Sequence, residues 1–129
     1  MKADAVGKYL EYPDVQWSAP EIGQDGLERW GGKTKEWWLK CIPYNIIDES
    51  TRGNGAKNLW AFAILSNGAR KPLVQARDKK YADGRPREIV PAPSIKAQIS
   101  KIRDVVGFEV CVRSSMADDN EGLDFKIPL

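Results

Sequence analysis

Hydrophobic positions recur with two different periods along the chain. In FEVCVRS, 108 to 114, Phe108, Val110 and Val112 alternate with Glu109, Cys111 and Arg113, the period-two pattern of a strand with one buried face. NLWAFAIL, 58 to 65, is apolar on both faces and predicts a central strand. Ser66-Asn67-Gly68 follows it, and Asn-Gly tolerates positive φ at both central turn positions, so 58 to 65 and about 71 to 77 read as a β-hairpin. A second turn at Ala82-Asp83-Gly84 leads into REIVP, which makes a meander of three strands. Aromatic and β-branched residues in KEWWLKCIPYNII predict a strand over 36 to 46, with Trp37 and Trp38 on opposite faces and Pro43 confining it to an edge, bulge or end. Only SIKAQISKIRDVVG has helical spacing. Its Ile95, Ile99, Ile102 and Val106 line one face of a helix over about 94 to 106, capped by Ser94 and ended by Gly107.

These elements predict an α+β fold, a mostly antiparallel sheet of about five strands with one main helix packed on it. A small open β-barrel with a helix is the alternative. DFKIPL at 124 to 129 reads as a last edge strand. Residues 1 to 34 are too punctuated by Gly and Pro for a long helix and read as an extended arm with one short helical turn near 24 to 30, anchored by Tyr9, Tyr12, Trp17 and Trp30. The expectation is one domain over 1 to 129, the arm followed by an α+β core from 35.

Composition agrees with a single core. The chain has 129 residues, 42% of them hydrophobic, and includes five Trp. Charge changes the picture more. Twenty cations face eighteen anions over the whole chain, yet Arg70 to Arg103 holds ten Lys or Arg against three acids, a local +7, so the remainder carries −5. No run of about 18 apolar residues is present, so no membrane partner is expected. MKADAVGKYLEYPD carries charges where a signal peptide needs an apolar segment, which predicts a cytoplasmic or other intracellular protein.

Candidate chemistry is sparse. Without histidine, the Ser-His-Asp, Cys-His and His-metal mechanisms drop out together, and no enzyme activity, metal or cofactor is expected. Cys41 and Cys111 are seventy residues apart, a spacing that fits no paired-ligand zinc pattern. They read as two buried thiols, a disulfide between neighbouring strands being the alternative. Asp118, Asp119, Glu121 and Asp124 lack the spacing of a calcium loop and read as a solvated loop. GNGAK at 53 to 57 and GGKTK at 31 to 35 fall short of the full phosphate-loop pattern.

The remaining candidate is the basic hairpin with the helix behind it. Arg70, Lys71, Arg77, Lys79, Lys80, Arg85 and Arg87 supply contacts to phosphates, Tyr81 supplies a stacking surface, and Lys96, Lys101 and Arg103 follow on the helix. Trp37 or Trp38 offers a second aromatic platform. The expectation is a non-enzymatic binding domain for nucleic acid, single strands included. Its alternatives are an interaction module for an acidic protein partner and a carbohydrate- or small-ligand-binding domain built on an exposed Trp. In element order alone, strands followed by a helix with cationic hairpins, the chain is similar to several small single-strand-binding architectures.

Overall fold

A computed structural model gives the fold, described for residues 15–48, 55–79, 88–114 and 123–129. Two sheets and two short helices account for it. A small sheet, β1 (Glu21–Ile22), β2 (Glu28–Trp30) and β3 (Lys33–Thr34), precedes α1 (Lys35–Lys40). The main sheet then takes β4 (Tyr44–Asp48), β5 (Gly55–Leu65), β6 (Arg70–Pro72), β7 (Ala76–Lys79) and β8 (Glu88–Val90). After α2 (Ile95–Ile99) come β9 (Val105–Ser114) and β10 (Leu123–Pro128). Its strand order is β10-β9-β5-β4-β7-β8, with β6 paired to the far half of β5.

Mixed α and β content and the edge position of β10 agree with the sequence, but several boundaries do not. KEWWLK is helix, not strand: Thr34 caps α1 by accepting from the Trp37 amide, and Glu36 and Lys40 stand at the ends that suit the helix dipole. The predicted helix over 94 to 106 stops at Ile99. Turns carry the chain to Asp104, which takes φ 63°, and the β-branched pair Val105 and Val106 then begins β9. Nor is there a three-strand meander. β6 stays on β5, while β7 pairs in parallel with β4, Tyr44 opposite Ala76. The described residues form ten strands where about five were expected, and the sheet does not close into a barrel. Of the stretch assigned to an extended arm, 1 to 14 with Tyr9 and Tyr12 lie outside the described residues, and the helical turn near 24 to 30 is absent, β1 to β3 occupying 21 to 34.

β9 returns past α2 to lie antiparallel to β5, on the side away from β4. This register sorts the sheet into two faces. Leu59, Ala61 and Ala63 of β5 stand beside Val112, Val110 and Phe108 of β9, and with Ile127, Ile95 and Ile99 they form the buried core. α1 and α2 pack on this covered face, where Trp38 is buried. Small alanines on β5 let the opposing layer approach closely.

The stretch before β1 wraps the edge of β10. Ser18 donates its amide to the Lys126 carbonyl and accepts from the Lys126 amide through its hydroxyl. Its carbonyl accepts from Trp30 Nε1 at 2.9 Å, and the Trp30 carbonyl accepts from Trp38 Nε1 at 2.8 Å. The two buried indoles thereby find partners for their polar atoms. Trp17 turns the other way and lies against Gly107, where its ring leaves no room for a Cβ. Among the described residues no helix is long and apolar enough to cross a membrane.

Candidate nucleic-acid interface on the open sheet face

The second face of the main sheet is not covered by either helix. Strand alternation brings Asn58, Trp60 and Phe62 of β5 onto it, beside Arg113, Cys111 and Glu109 of β9. Asp124 of β10 stands next to Cys111, and β6 adds Arg70 next to Ile64. Farther across the sheet, Asn45 of β4 and Arg77 of β7 continue the row that starts at Arg113 and Asn58. With strands about 4.8 Å apart, Arg77 and Arg113 are roughly 14 Å from each other.

A shallow depression of about 460 Å³ lies in this face, lined by Trp60, Phe62, Arg70, Glu109, Cys111, Arg113 and Asp124. Trp60 is 40% exposed, in the central strand. Arg70 sits with its guanidinium carbon 4.7 Å from the Phe62 ring centroid and its Nη1 2.6 Å from Glu109 Oε1. Glu109 is buried, so this ion pair supplies the charge partner that a buried carboxylate needs. Arg113 holds Asp124 through both nitrogens, at 2.9 and 3.3 Å. Burial opposes ionisation of Asp124, but hydrogen bonds from Arg113 and Cys111 outweigh it and hold the carboxyl below its ordinary range. Cys111 is pushed up to about 12 by burial first and then by the carboxylates of Asp124 and Glu109, so its thiol stays protonated at neutral pH.

Both guanidiniums remain partly open to solvent, Arg70 at 50% and Arg113 at 40%. Each can donate to an added anion without leaving its carboxylate, because a guanidinium carries five N–H groups. The face thus presents three arginines, Lys126 next to Glu109 in register, two carboxylates and two aromatic rings.

The structure splits the basic residues singled out in the sequence. Arg70 and Arg77 lie on the open face. Lys71, next to Ala63 in register, is exposed on the other side of β6. Lys96, Lys101 and Arg103 are exposed on α2 and the turns after it, behind a helix that packs on the covered face, and so do not join Arg70 and Arg77. Lys79 belongs to β7, but its side chain lies outside the described residues, as do Lys80, Tyr81, Arg85 and Arg87 and the turn at 82 to 84. The same holds for Asp118, Asp119 and Glu121. Trp38 is core, whereas Trp37 is 46% exposed on the α1 side, away from the open face. Cys41 and Cys111 are both free thiols.

Sequence reading missed Trp60, Phe62, Glu109 and Arg113. The usable signal was the alternation of large aromatic with small residues in Trp60-Ala61-Phe62-Ala63, which puts alanine under a close-packed layer and the rings outside it. Among the described residues no group of three or more His, Cys, Asp or Glu could hold a metal ion. The chain matches no family model, no curated protein and no solved structure.

Proposed function

We propose that this is a non-enzymatic domain that binds single-stranded nucleic acid across the open face of the main sheet. The observation that carries the reading is Trp60, partly exposed in the central strand between the guanidiniums of Arg70 and Arg113. Trp60 offers a flat surface for one base, and Phe62, two residues on and about 6.8 Å along the strand, carries the Arg70 guanidinium, whose own plane offers a second. Sheets that read single strands use aromatic side chains in this way. Arg70, Arg77 and Arg113 are the groups for the phosphates, and Glu109 and Asp124 keep two of them extended toward the sheet surface. A flat, unpaired strand fits this plane better than a duplex, whose bases are stacked on one another and closed to a tryptophan.

Because two of the three arginines already have carboxylate partners, stacking carries more of the affinity than charge. A salt titration tests this. Binding of a short single-stranded oligonucleotide should weaken with added salt at a log–log slope near about −2, the value for roughly three phosphates at about −0.7 each. Arg77→Ala should reduce that slope by about 0.7. Failure to bind at low salt overturns the reading.

A further inference from the structure

On the covered side of the sheet, α1 leaves a second concavity of about 430 Å³, lined by Lys33, Trp37, Cys41, Ile42, Tyr44 and Leu123 among others. It has no part in the nucleic-acid reading, since its walls come from the face opposite Trp60. Its rim is unusually apolar for a surface: Trp37 is 46%, Ile42 46% and Leu123 39% exposed. Gly31 forms part of the wall, and its missing side chain lets the Phe125 ring pack against the β2–β3 turn beside Trp38.

The polar groups decide what kind of molecule the space suits. Lys33 holds its ammonium 4.9 Å from the Trp37 ring centroid. Trp37 in turn meets Trp38 edge to face at 5.1 Å, and Trp38 is tied to the Trp30 carbonyl. The cation is therefore stationed at the mouth on an ordered platform. Among the described residues Lys33 forms no ion pair, and no carboxylate lines the space. Cys41 donates to the Trp37 carbonyl, and burial raises its thiol above the ordinary value, so it adds no negative charge. One positive group at the edge of an apolar hollow complements a molecule with an apolar body and a single negative head.

We propose that this concavity is a binding site for a small apolar monocarboxylate, with its chain or ring against Trp37, Ile42 and Leu123 and its carboxylate at the Lys33 ammonium. The test uses three probes of one chain length and different heads, octanoate, octanol and octylamine, titrated calorimetrically into the full chain at low salt. Octanoate should bind about fivefold more tightly than octanol, the upper end for a partly exposed charge pair, and octylamine should bind weakest. Lys33→Gln, at an exposed position, should bring octanoate down to octanol and leave octanol unchanged, with the circular dichroism spectrum of the parent. Equal binding of the three heads, absence of octanoate binding at millimolar concentration, or a Lys33→Gln variant that keeps the octanoate preference would each overturn the assignment.

Discussion

Arg70 Nη1 lies 2.6 Å from Glu109 Oε1, and the two side chains differ sharply in environment, the guanidinium 50% exposed and the carboxylate 7%. The pair is therefore unequal in its dependence on the partner. Arg70 without Glu109 can turn to water. Glu109 without Arg70 loses its guanidinium partner in a nearly dry site and, among the described residues, is left with the weakly donating Cys111 thiol 3.7 Å away. At pH 7, Arg70→Met is expected to cost about 2 kcal/mol and Glu109→Gln under about 1 kcal/mol. Urea denaturation of the two variants checks the order, and equal costs would remove the argument.

Asp124 gives the acid side of the stability curve a definite sign. Its folded carboxyl is held below the ordinary range chiefly by Arg113, against the opposing effect of burial. A depressed carboxylate stabilises the fold above its unfolded pKa, near 3.8, and that contribution is lost as pH falls through the lower folded value. Asp124→Asn should therefore lower stability at pH 7 and flatten the loss between about pH 5 and pH 2. Thermal unfolding across that range measures it. An unchanged acid limb would show that the pair contributes nothing.

The thiols should be slow to react. Cys111, raised to about 12, stays protonated in the folded chain at pH 8, and Cys41 is raised by burial with Lys33 pulling it partly back. A disulfide-exchange reagent at pH 8 is expected to label Cys41 first and Cys111 only on unfolding, since Cys41 is half-buried and Cys111 buried. For Cys111 the folded pKa is raised, so its contribution is whole below the unfolded value near 9 and is lost as pH climbs toward about 12. Rapid labelling of Cys111 in the native chain would contradict the burial described.

Gly31 and Gly26 form a matched comparison. Both take positive φ, 61° and 80°, but a Cβ on Gly26 meets open space while one on Gly31 falls 2.9 Å from the Phe125 ring. Gly26→Ala should cost about 1 to 2 kcal/mol from backbone strain alone. Gly31→Ala should cost at least about 1 kcal/mol more, because the β2–β3 turn must move off β10. Chemical denaturation of the pair separates strain from collision.

These particulars show which parts of the fold could be read from the chain. Alternation in FEVCVRS and the Ser66-Asn67-Gly68 turn are local signals, and both elements lie where the pattern puts them. The helix over 94 to 106 was half legible: its first turn packs Ile95 and Ile99, but β-branched Val105 and Val106 are drawn into β9 by pairing with β5 and by the Leu129 amide. In KEWWLK the two tryptophans suggest a strand, but Thr34 and Glu36 are capping signals and they decide for helix. The open face was the least legible. Arg70 and Glu109 are thirty-nine residues apart, and it takes both the β5–β6 and the β5–β9 registers to bring them together. Cation density along the sequence could not show that α2 would carry Lys96, Lys101 and Arg103 to the opposite side.

Trp60 bears the weight of the functional proposal, and one titration probes it directly. A single-stranded oligonucleotide added to the native chain at low salt should quench tryptophan fluorescence and bind. Trp60→Ala should weaken that binding by roughly tenfold or more, the loss of one stacked base at about 1 to 3 kcal/mol, with folding unchanged at this exposed site. If Trp60→Ala binds the oligonucleotide as tightly as the parent chain, the open face is not the nucleic-acid surface.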